Sequence, residues 1–129
     1  MFDLDLLPEE YAVCRLPAGT PLPPSLSSGP DDKSVISVTW APEELSIICP
    51  ADRVPSAAIV ETPWRCLRVV GPLDLALTGV LASLIGPLAE ARVNIVTFST
   101  YDTDYVLVPT VRLAEAVATL TAAGHRIAG

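Results

Sequence analysis

The chain has 129 residues, half of them apolar and 18% charged, with a mean hydropathy of +0.47. That composition supplies a core of single-domain size and argues against intrinsic disorder. Fifteen acidic against eight basic residues give a net charge of −7, which repels a phosphate backbone and excludes an electrostatic nucleic-acid surface.

The opening residues Met1 to Leu7 are acidic where a secretory signal is basic, so no export is expected and the location is read as cytoplasmic. Tyr11 to Leu16 predicts a strand. Pro17 to Pro30 then holds five of the thirteen prolines, which rule out a helix there and predict a loop that buries little. Strands are predicted at Ser34 to Trp40 and Leu45 to Cys49, around a tight turn at Ala41-Pro42-Glu43-Glu44. Asp52 to Thr62 suggests a helical turn and a fourth strand, with Pro63 as a junction.

The second half has the cleaner pattern. Trp64 to Val70 predicts a strand that stops at Gly71-Pro72. Leu75 to Ala89 is too short and too interrupted to span a membrane, and Val80, Leu81, Leu84, Leu88 and Ala91 recur at helical spacing. Pro87 falls inside that helix, where it removes the donor to the Ser83 carbonyl and predicts a kink or a shortened last turn. Ile95 to Tyr101 and Tyr105 to Val108 predict a hairpin. Leu113, Ala116, Val117 and Leu120 predict a second helix capped by Gly124, and His125 to Ile127 a last short strand. This half reads βαββαβ, an α+β ferredoxin-like pattern with both helices on one face of the sheet.

Few residues offer chemistry. The single histidine, His125, has no local Cys or carboxylate cluster, so neither a metal site nor a histidine-dependent triad is expected. Cys14, Cys49 and Cys66 are odd in number and widely spaced, and are read as reduced core thiols. Gly71-Pro72-Leu73-Asp74 lacks the Arg-bearing, Gly-rich character of a phosphate loop. Seven aromatics and a negative charge do not make an RNA platform. With no recognisable pair of nucleophile and base, the chain is read as a non-enzyme without a cofactor. Two polar clusters remain, one at Leu73 to Val80 around a helix start and one at Ser99 to Asp104. The first offers N–H groups to a carboxylate, and the second offers hydroxyls and carboxylates to an ammonium. The second is equally readable as a solvated hairpin turn.

The stretches Gly71-Pro72-Leu73-Asp74-Leu75-Ala76-Leu77-Thr78-Gly79-Val80-Leu81-Ala82, Ser99-Thr100-Tyr101-Asp102-Thr103-Asp104-Tyr105-Val106-Leu107-Val108 and Val38-Thr39-Trp40-Ala41-Pro42-Glu43-Glu44-Leu45-Ser46-Ile47 carry a resemblance. The chain resembles the ACT-domain proteins related to the eukaryotic cytosolic arginine sensors, including their short bacterial two-unit relatives. The resemblance implies tandem ferredoxin-like ACT units, a degenerate one at 1–63 whose first helix is replaced by the Pro-rich loop, and a complete one at 64–129. It implies ligand binding at interfaces between ACT units. Thr100, Tyr101 and Asp104 match ligand-contacting positions, with Asp104 facing a cationic side chain, and Leu73, Asp74, Gly79 and Val80 match loop contacts. Leu77 stands where the arginine sensors place a second acidic residue, which weakens any site for a guanidinium. The expected function is an amino-acid-binding regulatory module, homodimeric and acting on itself or on a protein partner. The alternative is a constitutive dimerisation scaffold with a vestigial ligand site.

Overall fold

The computed structural model describes residues 1–129 apart from Leu75. The chain divides into two compact units, one of Met1–Leu7 with Arg65–Gly129 and one of Pro8–Trp64. Two long strands, β1 (Asp3–Pro17) and β4 (Ile59–Val69), each contribute one part to either unit.

In the unit containing the second half of the chain, the strands are neighbours in the order β5-β6-β4-β1-β7. Here β5 is Val96–Ser99, β6 is Asp104–Pro109 and β7 is Arg126–Ala128. The pattern of strands and helices is the expected βαββαβ, but the start of β1 lies between β4 and β7. Asp3, Leu4 and Asp5 pair in parallel with Arg126, Ile127 and Ala128. On the other side the Asp3 carbonyl accepts the Val70 N–H at 2.8 Å, and Asp5 meets Arg68 at 2.7 Å. The closing strand spans three residues only, so its pairing capacity is small, and the N-terminal segment completes the sheet.

Leu4, Leu67, Val69, Val106 and Val108 share one sheet face by the two-residue period of strands and are buried in one cluster. Helix α1 (Val80–Glu90) adds Val80, Leu84 and Leu88, and helix α2 (Leu113–Ala122) adds Ala116 and Leu120. Both helices therefore cover that face, each large aliphatic contributing about 1.5–3 kcal/mol of burial. Leu75, the first residue of the predicted helix, lies outside the described residues, and α1 begins at Val80 with Gly79 as its N-cap in the left-handed region.

Both helix ends use the same C-terminal device. After α2 the Gly124 N–H bonds to the Thr121 carbonyl and the His125 N–H to that of Leu120, with Gly124 at φ +99°. After α1 the Arg92 N–H bonds to Ala89 and the Val93 N–H to Leu88, with Arg92 at φ 59°. These are Schellman closures, and the second places a non-glycine residue in the left-handed position. Helix α1 runs through Pro87 and ends one turn later.

The unit of Pro8–Trp64 has the neighbour order β2-β3-β1-β4, with β2 at Ser37–Trp40 and β3 at Glu44–Pro50. Ala12, Cys14 and Leu16 alternate on β1, Leu45, Ile47 and Cys49 on β3, and all six are buried together. The Pro-rich segment folds as loop around one 3-10 turn, Pro24–Leu26. Most of this segment is exposed, as expected, and the buried exceptions are Pro23 and Leu26, the latter 3% exposed and part of this core. Arg53 holds the loop down, donating to the carbonyls of Gly29 and Ser25 and to the Ser28 hydroxyl. Pro63 lies inside β4 and ends no strand, since β4 is the edge of this unit's strand order, where a missing N–H is tolerated. Among the described residues no helix is long and apolar enough to cross a membrane.

Candidate functional site

The loop after β4 and the hairpin between β5 and β6 meet at the start of α1. Gly71 makes this approach feasible, because a Cβ there would stand 3.0 Å from the Asp102 carbonyl and 3.3 Å from the Thr103 Cβ. The Leu73 N–H donates to that same Asp102 carbonyl at 2.7 Å. Buried Thr103 donates its hydroxyl to the Val69 carbonyl at 2.6 Å, fixing the hairpin to the end of β4.

The hairpin is braced by local contacts. Ser99 pairs with Asp104 across the strands, and the Thr100 N–H bonds to the Thr103 carbonyl at 2.9 Å. Phe98 and Tyr105 face each other in register with stacked rings 4.7 Å apart, a cross-strand pair that stabilises the ribbon. The Ser99 hydroxyl donates to one Asp104 oxygen and leaves the other unused by it. In the facing loop, one Asp74 carboxylate oxygen accepts the Ala76 N–H at 2.9 Å, and the Asp74 carbonyl accepts the Leu77 N–H at 2.9 Å. This is a local turn of the kind Asp favours.

Between these segments lies a half-open cleft of about 160 Å³. Leu73, Asp74, Leu77 and Val80 line it from the loop and α1, and Thr100, Tyr101 and Asp104 from the hairpin. Seven of the eight residues singled out in the sequence are thus brought to one place. The eighth, Gly79, does not line the cleft but caps α1 beside it. Asp102 and Thr103 also line it. They belong to the polar run Ser99 to Asp104, and their position between Thr100 and Asp104 was the signal that they share its surface.

Among the described residues the lining carries three carboxylates, Asp74, Asp102 and Asp104, and no Lys or Arg. Its field favours a cation. Gly79 provides no side-chain cap to α1, so the first-turn N–H groups of that helix receive no bond from it. A helix start of this kind favours a carboxylate. Leu73, Leu77 and Val80 add an apolar wall. Among the described residues no group of three or more His, Cys, Asp or Glu side chains is placed to hold a metal ion.

The remaining sequence candidates serve structure. His125 is 4% exposed; its Nδ1 accepts the Phe2 N–H at 3.1 Å and its Nε2 stands 3.0 Å from the Ser83 carbonyl. A carbonyl can only accept, so Nε2 carries the proton and the ring is a neutral tautomer. Ser83 is the residue whose carbonyl lost its helical donor to Pro87, and the imidazole replaces that donor. All three cysteines are free and buried. Burial pushes the Cys66 thiol up to about 12.

An ACT-domain family model matches residues 59–122, and a second model, for an N-terminal domain, matches residues 9–57. The human protein CASTOR3P is 29% identical over 85 residues, 56% of this chain, and the chain spans about half (52%) of that relative's length. The crystal structure of protein Atu0741 from Agrobacterium tumefaciens is 33% identical with a TM-score of 0.87, over 98% of this chain and 92% of that one. The regulatory subunit of aspartate kinase from Thermus thermophilus shares the fold at 14% identity and a TM-score of 0.61, over 90% of this chain and 93% of that one. With the α+β architecture and the matched models together, the chain belongs to the ACT-domain family.

Proposed function

We propose that this chain is a non-catalytic regulatory module that binds an amino acid in the cleft between the 71–79 loop and the 100–103 hairpin. One observation carries the reading: the cleft sets carboxylates, hydroxyls, an apolar wall and the start of α1 around a single volume. An α-amino acid presents an ammonium, a carboxylate and a side chain, and each has a complement there. Asp104 is the ammonium acceptor and the first turn of α1 receives the carboxylate. The unit of Pro8–Trp64 is the degenerate ACT partner in the tandem, and the module works as a homodimer or on a protein partner. A ligand that binds one association state better than another shifts the balance between them by linkage.

A second reading, a constitutive dimerisation scaffold, draws support from Leu77 at 50% and Tyr101 at 80% exposure on the rim of the same cleft. Thermal unfolding against the twenty amino acids, with light scattering in parallel, separates the two. A ligand-dependent rise in midpoint supports sensing. A stable dimer that no amino acid affects supports the scaffold and removes the sensing function.

A further inference from the structure

We infer that the unit of Pro8–Trp64 carries a second small-molecule site, in the cavity beside its Pro-rich loop, and that this site takes an uncharged aromatic compound bearing an N–H or O–H donor, of the indole or phenol class. The cavity measures about 520 Å³ and is open to solvent. Its two walls are the loop from Thr20 to Ser25 and the turn from Val54 to Ala57, all within this one unit. Leu16 lines it as well and is 5% exposed in the core of the unit, on which Val54 packs, so the cavity reaches that core. A volume of this order lies in the range of small-molecule sites.

The walls are tied to each other and do not depend on a ligand for their place. The Arg53 guanidinium donates to the Ser25 carbonyl at 2.9 Å, and the Ser25 hydroxyl donates to the Arg53 carbonyl at 3.3 Å. The ring N–H of Trp40 holds the start of the loop through the Thr20 carbonyl at 3.0 Å. A site already shaped in this way spares a ligand the work of ordering the chain around it.

Three features of the lining point to the ligand class. Among the described residues no charged side chain lines the cavity, so an ionic ligand finds no counter-charge on its walls. Pro21, Pro23, Pro24 and Pro55 line it, and a pyrrolidine ring offers a C–H face that packs on an aromatic ring, the contact by which proline segments and aromatic grooves recognise each other. Proline also carries a carbonyl but no N–H, and the Thr20 and Ser25 hydroxyls already donate to the Pro17 and Arg53 carbonyls. The walls therefore offer acceptors more readily than donors, and a ligand answers them with a donor of its own.

Amide NMR of the full chain titrated with indole, and separately with benzoate and with cyclohexanol, tests the assignment. Indole is expected to shift the amides of Leu22, Ser25, Ser56 and Ala57 saturably, with a Kd below about 1 mM. Benzoate, which is charged, and cyclohexanol, which has no aromatic ring, are expected to bind about fivefold more weakly or worse. Ser56→Trp, at an exposed lining position, fills the space and should weaken indole about tenfold or more, and Leu22→Asp, on the other wall, about fivefold or more, with thermal unfolding showing which variant is folded. Shifts that do not saturate, shifts confined to residues outside the cavity, or undiminished binding in a folded variant overturn the site. Benzoate or cyclohexanol binding as tightly as indole overturns the ligand class.

Discussion

Replacing His125 by alanine removes one ring that satisfies two backbone groups from distant parts of the chain. The Phe2 N–H loses its acceptor and the Ser83 carbonyl its donor, at 3.1 and 3.0 Å in the intact protein. Each lost neutral hydrogen bond costs about 1 kcal/mol, and more where the group left behind stays dry. The stack of the imidazole on Phe2, with ring centres 5.9 Å apart and planes at 11°, adds about 0.5–1 kcal/mol. The sum is about 3 kcal/mol, read as a fall in the urea midpoint at unchanged slope. A second variant makes the mechanism specific. Pro87→Ala restores the N–H that Ser83 lacks, so it should rescue His125→Ala by about 1 kcal/mol more than it stabilises the wild type, where the imidazole already serves that carbonyl. A loss below about 1 kcal/mol in His125→Ala, or strict additivity of the two changes, refutes the assignment of the imidazole as the missing helix donor.

Four further outcomes follow from single residues. Leu26→Ala should cost about 2–4 kcal/mol, because the residue is 3% exposed in the core of its unit, and a denaturation curve checks it. Arg92→Gly should stabilise by about 0.5–1 kcal/mol, since glycine adopts φ 59° without the Cβ clash and the Arg92 carbonyl that accepts from Arg112 is kept. Stability should fall as pH rises from about 9 toward 12: the folded Cys66 thiol, pushed up to about 12, keeps its proton while the unfolded thiol ionises, so the folded state binds more protons in that window. Cys66→Ala should flatten that decline, measured as midpoint against pH. Asp104→Asn should weaken the identified ligand about tenfold to a hundredfold by calorimetry while moving the unfolding midpoint little, because a charge-assisted hydrogen bond is worth about 1.5–3 kcal/mol.

What the sequence disclosed was local. The spacing of Val80, Leu84 and Leu88 gave the buried stripe of α1, and Gly124 gave the closure of α2. The polar runs at both ends of the cleft stood out because turns collect these residue types, and seven of the eight residues chosen meet at one volume. What stayed hidden depends on partners far along the chain. The parallel pairing of Asp3–Asp5 with Arg126–Ala128 joins segments more than a hundred residues apart, and no periodicity encodes it. Leu26 sits among prolines that forbid regular structure, yet a loop without hydrogen-bond regularity still buries an aliphatic side chain when Arg53 fastens it. Gly71 looked like a chain terminator for β4, and its close approach to the hairpin is visible only once Asp102 and Thr103 are opposite it.

Helix α1 ties these observations together, because it is anchored at several points and carries one wall of the cleft. Its first residue, Val80, is 6% exposed and both lines the cleft and enters the core. The carbonyl of Ser83, one turn in, is held by His125, and the carbonyls of Ala91 and Arg92 at its far end accept from Arg112. A helix held at these points resists rotating or sliding toward a ligand, since each shift would break one of these bonds. The opposite wall is fixed as well, by Thr103 on the Val69 carbonyl. Rigid walls leave selectivity to the side chains that project between them. On the proposed amino-acid reading those include Leu73, Leu77, Thr100, Tyr101 and the three carboxylates, so a change of ligand preference should come from substituting these residues and not from loosening α1.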